Sequence, residues 1–77
     1  MPKLPPVKPR VVIQFLERNG FMLDHTSGSH FIFYHPVSHR RAIVPRHNRD
    51  MPKGTLIALL REAGFTRDEL VRFLEGT

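Results

Sequence analysis

The sequence contains no cysteine. Disulfides and thiolate metal sites are therefore excluded, and a chain of 77 residues must be held by its apolar core alone. No apolar run approaches the roughly 20 residues of a membrane span. The opening Met1-Pro2-Lys3-Leu4-Pro5-Pro6 has no apolar stretch of the kind a secretory signal carries, so the expected location is the cytoplasm. There is no low-complexity tract and no internal linker. Carboxylates are also scarce: from His25 to Arg49 there is no Asp or Glu, and Asp24 is the only acidic residue between Glu17 and Asp50. Paired-carboxylate acid–base chemistry is thereby disfavoured.

What is present is cationic. Nine Arg and three Lys give a formal net charge of +5, which favours nucleic acid, anionic lipid or an acidic protein as partner. The carboxylate-free stretch holds Arg40, Arg41, Arg46 and Arg49 together with all five histidines. A one-signed run of this kind suits phosphate contacts, which supply most nucleic-acid affinity. Hydrophobic residues make up 40% of the chain, and six are Phe. Each buried aromatic removes on the order of 150–250 Å² from water.

Residues 1–7 form a Pro-rich extended lead-in to a single domain over residues 8–75. Pro9 to Asn19 has helical periodicity, with Val12, Phe15, Leu16 and Asn19 on one face. Pro9 suits the first turn and Gly20 the left-handed stop. Phe21–His25 reads as a short strand, and Thr26-Ser27-Gly28-Ser29 as a turn. His30–His35, rich in aromatic and β-branched residues, is the strongest strand. Pro36–His39 turns the chain, and Arg40–Val44 forms a third strand stopped by Pro45. Arg46–Met51 is a polar, basic loop.

Pro52 then opens a second helix with Leu56, Ile57, Leu59, Leu60 and Ala63 as its apolar stripe. Thr66 and Glu69 have the spacing of a capping box for a third helix, whose buried edge is Leu70, Phe73 and Leu74. Leu16–Phe21 and Leu60–Phe65 echo each other as helix ends followed by Gly-Phe. The fold class is α+β: α-β-β-β-α(α), with a three-stranded antiparallel sheet and helices on one face. This order is similar to that of the double-stranded-RNA-binding domain.

A zinc site needs ligands converging tetrahedrally, and the spacing of His25, His30, His35, His39 and His47 does not supply it. No metal is expected. Ser29 and His30 are adjacent on a strand and point apart, a poor nucleophile–base pair. Gly28-Ser29-His30 stands out instead. Gly28 lets backbone approach a phosphate, Ser29 and the turn amides can donate to its oxygens, and His30 is of the side-chain type suited to proton transfer at physiological pH. A histidine beside a phosphate can act as general base or acid, and RNA carries its own nucleophile in the 2′-hydroxyl. On these grounds alone an ordinary strand-end residue is the favoured reading of His30. His47 is a second acid–base candidate or simply part of the basic loop. Tyr34, on the His30 and Ile32 face, either packs inward or stacks on a base.

The order and spacing of several short motifs resemble the HicA-type toxins of bacterial toxin–antitoxin modules. These motifs are Lys8-Pro9-Arg10-Val11-Val12, Gly20-Phe21, Gly28-Ser29-His30, and the aromatic strand ending at His35-Pro36. Val44-Pro45-Arg46-His47, Lys53-Gly54-Thr55-Leu56 and Arg61-Glu62-Ala63-Gly64-Phe65 follow. The resemblance runs from Val7 to about Leu74. It implies a double-stranded-RNA-binding-like domain, an mRNA-cleaving ribonuclease without cofactor, and a HicB-type antitoxin that covers the active site. The family's catalytic histidine maps onto His30, and the turn before it onto Gly28 and Ser29. One departure is Met51-Pro52-Lys53-Gly54, where Pro and Lys are swapped against the commoner pattern.

The mechanism expected from this reading lays RNA along the cationic meander. Gly28, Ser29, Arg40, Arg41, Arg46, His47, Arg49 and Lys53 are the candidate RNA-binding residues, and His30 moves the proton. The rivals are a non-catalytic nucleic-acid-binding module and a module that binds an acidic protein. Neither membrane nor metal is an expected partner.

Overall fold

A computed structural model describes residues 4–76. Six elements follow in the order α1 (Pro9–Arg18), β1 (Met22–Ser27), β2 (His30–Tyr34), β3 (Arg41–Pro45), α2 (Lys53–Ala63) and α3 (Arg67–Glu75). The α+β class and the element order match the sequence expectation. The strands form one antiparallel meander, β1-β2-β3.

Period-two alternation gives the sheet two unlike faces. Phe33, Ala42 and Val44 are buried, with Phe31 half-buried, and these meet the helices. Residues directly opposite in an antiparallel ladder share a face. His30, Ile32, Tyr34, Arg41 and Ile43 therefore lie on the opposite, open face, with Met22, His25 and Ser27 of β1 across from Tyr34, Ile32 and His30. Every residue of β1 is exposed, so the helical layer covers only the β2–β3 side. At the centre of the core Val12, Leu16, Val44, Leu56, Leu60 and Leu70 are fully buried. Each such side chain contributes about 1.5–3 kcal/mol.

The lead-in takes part in this core. Leu4 and Val7 are buried, and the Met51 amide donates to the Val7 carbonyl at 2.8 Å. Residues 1–3 of the expected extended segment lie outside the described residues.

The two Gly-Phe helix ends share one geometry. Phe21 N–H donates to Leu16 O at 3.0 Å, and Phe65 N–H to Leu60 O at 2.8 Å. Both bonds span five residues and satisfy a carbonyl that the helix end would orphan. The turn throws each Phe back onto the core, where the two rings meet at 5.9 Å and Phe15 packs edge-on against Phe65 at 4.7 Å. The capping box of α3 is complete, with Glu69 N–H donating to Thr66 Oγ1 and Thr66 N–H to Glu69 Oε1. Its buried edge is Leu70 and Val71, while Phe73 and Leu74 are only partly covered.

Some strand boundaries differ from the sequence expectation. Phe21 precedes β1 because its amide is committed to the α1 terminus. Thr26 and Ser27 belong to the ladder, paired with Phe31 and His30, so the turn shrinks to Gly28-Ser29. β3 begins at Arg41 and includes Pro45 rather than stopping before it; Pro45 is its last residue, where a missing donor is tolerated. A register shift between Leu23 and His25 marks a bulge at Asp24. Among the described residues no helix is long and apolar enough to cross a membrane.

Candidate functional site

The tightest local constraint around His30 is the hairpin before it. Ser27 pairs with His30, leaving Gly28 and Ser29 as a two-residue loop. Gly28, the first loop residue, has φ +55°, the sign that a type II′ connection demands at that position. A Cβ there would meet nothing within 4 Å, so glycine serves the backbone angle and leaves the turn open on its outer side. His30 starts β2 on the open face and is exposed. Its Nδ1 lies 3.5 Å from Ser29 Oγ, too long to fix the ring. Ser29 and His30 thus have neither the separation nor the direction of a nucleophile–base pair.

Arg46 is bound to this turn. Its backbone N–H donates to Ser29 O at 2.7 Å, and its guanidinium donates to Gly28 O at 3.2 Å. The guanidinium carbon also stands 5.1 Å from the centre of the Phe31 ring. His30 is paired with Pro45, the residue before Arg46, so imidazole and guanidinium come from neighbouring positions at one end of the sheet. His47 follows, half-buried, with Nδ1 accepting from Arg49 N–H at 3.2 Å. That acceptor role leaves Nε2 as the atom able to carry a proton in the neutral ring.

The remaining expected residues lie elsewhere. Arg41 sits four residues from Pro45, about 13 Å along the strand from the His30 end. Its guanidinium is 3.6 Å from Asp24 and 5.0 Å from the Tyr34 ring centre. Arg40 donates to Glu62 O at the end of α2 and lies against Gly64. Arg49 is exposed in the loop. Lys53 is exposed at the start of α2, in a hollow it shares with Leu4, Asp50 and Met51. Among the expected cations only Arg46 bonds to the Gly28-Ser29 turn, the Arg49 amide bonds to His47, and Arg40, Arg41 and Lys53 are placed elsewhere.

The open face is less free of carboxylate than the sequence suggests. Asp24, at the bulge, bonds to His25 Nδ1 at 2.8 Å and reaches Arg41. The His25 hydrogen bond, assisted by the charges of His25 and Arg41, holds its carboxyl below the usual value. Tyr34 also stays on this face, its hydroxyl 2.6 Å from His39 Nδ1. His35 has a different task. Its Nδ1 accepts from the amides of Val37 and Ser38, each at 3.1 Å, and its Nε2 donates to Asn19 O at 3.1 Å. It joins the end of α1 to the β2–β3 turn. Among the described residues no three His, Asp or Glu side chains gather as a metal-binding group.

Sequence reasoning passed over Lys8, Arg10 and Asn48 as site residues. Arg10 and Asn48 flank Arg46 and His47 in an open groove, and Lys8 joins them where it widens. The signal was there to be read. Lys8 and Arg10 stand at the start of α1, whose first turn has no acidic residue, although a helix N-terminus disfavours cations.

Among curated proteins no match was found. The family model described as HicA toxin of bacterial toxin–antitoxin matches residues 9–65, well over half of the chain. That span begins at the proline that opens α1, takes in the whole sheet with the His30 turn and Arg46, and ends at the Phe that closes α2. On this match, the chain belongs to the HicA family of toxins from bacterial toxin–antitoxin systems.

Proposed function

We propose that this toxin is an endoribonuclease that cleaves mRNA in the cytoplasm without a metal, that His30 is its proton-transfer residue, and that a HicB-type antitoxin neutralises it. The observation that carries the reading is the exposed imidazole of His30 at the Gly28-Ser29 turn, with the turn's carbonyls holding Arg46. Family membership supplies the toxin and a cognate antitoxin. A domain similar to the double-stranded-RNA-binding type is consistent with the element order.

The chemistry needs little from the protein. The 2′-oxygen attacks the adjacent phosphorus as its proton passes to His30. The bond from phosphorus to the 5′-oxygen breaks, and that oxygen takes up a proton as it leaves. A 2′,3′-cyclic phosphate and a 5′-hydroxyl result. Arg46, bonded to the His30 turn, is the cation assigned to offset the added negative charge of the transition state. His47, through Nε2, is a candidate second acid–base group. Proton transfer of this kind contributes roughly 10²–10⁴-fold.

The test compares purified wild type with His30→Ala on mRNA. His30 is exposed, so the variant should fold; its cleavage should fall by the factor above and its affinity for RNA should persist. Undiminished cleavage removes His30 from the mechanism. Activity that survives chelation by EDTA supports the metal-free route, and strong inhibition refutes it. Growth arrest on induction of wild type, absent with His30→Ala, links the activity to toxicity.

One observation favours a second reading, a non-catalytic RNA-binding module: among the described residues nothing orients the His30 ring more closely than Ser29 Oγ at 3.5 Å. That reading predicts salt-sensitive RNA binding without strand scission.

A further inference from the structure

An open groove of about 330 Å³ runs from the Arg46 end of β3 to the first turn of α1. Its lining is of two kinds. Ile13 and Phe31 give it an apolar floor, and Arg10, Arg46, His47 and Asn48 give it a cationic and polar rim. It adjoins a second hollow where Lys8 meets Arg10, His47 and Asn48. The volume lies at the lower end of the roughly 300–1,000 Å³ of small-ligand pockets, which is room for one flat ring system and its attachments.

The charge in the groove is unbalanced. Lys8 has a carboxylate partner, Asp50 at 3.6 Å, but among the described residues Arg10, Arg46 and His47 have none within 4 Å. Arg10 is exposed in the first turn of α1, where the helix dipole adds to its positive potential rather than offsetting it. An anion bound there relieves both. The Arg46 guanidinium over the Phe31 ring is a surface on which a base can stack, since single-stranded RNA is held by aromatic rings and guanidinium planes. Arg46 also donates to the Gly28 carbonyl, so the groove borders the His30 turn at one end of the sheet, with Phe31 on the face opposite His30.

We infer that this groove is a subsite for single-stranded RNA. It takes one nucleotide flanking the cleaved phosphate, with the base against Arg46 and Phe31 and the phosphate on Arg10. The inference rests on the RNA reading of the His30 site, and it assigns binding rather than chemistry.

The experiment measures binding of a short fluorescein-labelled single-stranded RNA to the full chain across a salt series. All proteins carry His30→Ala so that the RNA stays intact. The test variant adds Arg10→Gln. The control adds Arg67→Gln, an equal charge change at an exposed position that opens α3. Arg10→Gln should weaken binding about three- to tenfold. It should also lower the salt slope by about 0.7, the value for one lost contact to a single strand. Arg67→Gln should do neither. In proteins that retain His30, the Arg10→Gln loss should appear mainly in KM.

Equal effects of the two variants reduce the result to net charge and overturn the subsite. So does an Arg10→Gln effect confined to antitoxin binding, which would give the groove to the antitoxin. The two ideas fail separately. RNA that binds through Arg10 but is never cut removes the nuclease and keeps the subsite. RNA that is cut equally well by Arg10→Gln and Arg67→Gln keeps the nuclease and removes the subsite.

Discussion

The guanidinium of Arg46 donates to the carbonyl of Gly28 at 3.2 Å, while its own amide donates to Ser29 O at 2.7 Å. The residue after β3 thus clasps the turn before β2 through both its backbone and its side chain. Arg46→Ala should lower RNA cleavage about 10²–10³-fold, the usual cost of removing one transition-state donor. The backbone bond survives the substitution, so the stability loss should be about 1 kcal/mol. Arg46→Lys restores charge without the planar fork and should recover only part of the activity. Single-turnover cleavage alongside urea denaturation separates these effects. Full activity in Arg46→Ala would remove it from the reaction.

Gly20 and Gly28 both have positive φ, at +91° and +55°, yet their replacements should differ. An alanine at either costs about 1–2 kcal/mol of backbone strain. At Gly28 the new methyl enters open space, but at Gly20 it would stand 2.8 Å from His35 Nε2. His35 is held by three hydrogen bonds and cannot move aside without breaking them. Gly20→Ala should therefore be the more destabilising by denaturant midpoint, and Gly28→Ala should show its larger effect on cleavage. The reverse order would refute this account of the two turns.

His35→Ala tests a structural histidine against a catalytic one. Two turn amides lose their acceptor and the Asn19 carbonyl loses its donor, so stability should drop by about 1–3 kcal/mol. Cleavage per folded molecule should match wild type. A selective loss of cleavage at unchanged stability would move His35 into the site.

Asp24 carries the pH prediction. Its carboxyl is held below its ordinary value of 3.8, first by the His25 hydrogen bond. A lowered carboxylate stabilises the fold above the unfolded-state value, and the contribution is lost as pH falls through the folded-state value. Wild type should lose stability more steeply than Asp24→Asn on acidification below about pH 4. Near neutrality the substitution should have a small effect, because the group is exposed and screened. Parallel acid limbs in denaturation at a series of pH values would show the pair to be inert.

Most of the architecture was legible from local chemistry. The Pro9 and Gly20 bounds of α1, the Gly64 end of α2 and the Thr66–Glu69 cap all state their structure within a few residues. Long-range commitments were less visible. Arg40 and Arg41 look like free cations in a one-signed run, yet Arg40 reaches Glu62 O on α2, and Arg41 reaches Asp24 across the sheet. That second contact depends on a bulge, which periodicity does not announce. Phe21 looks like a strand residue and is instead the closing residue of a helix. In the site, the Gly28-Ser29-His30 grouping is local and readable. The convergence of Arg10 with Arg46 and His47 joins the start of α1 to the loop after β3 and needed the fold.

The bulge at Asp24 has a consequence for how the molecules behave together. β1 is an outer strand with Met22 and Leu23 exposed, the kind of border on which like chains can add strand to strand. An extra residue at Asp24 bends that border and puts a carboxylate on it, so a second copy cannot lie flush along its length. The irregularity that ties up Arg41 thus also interrupts, along β1, an edge on which templated strand addition would build.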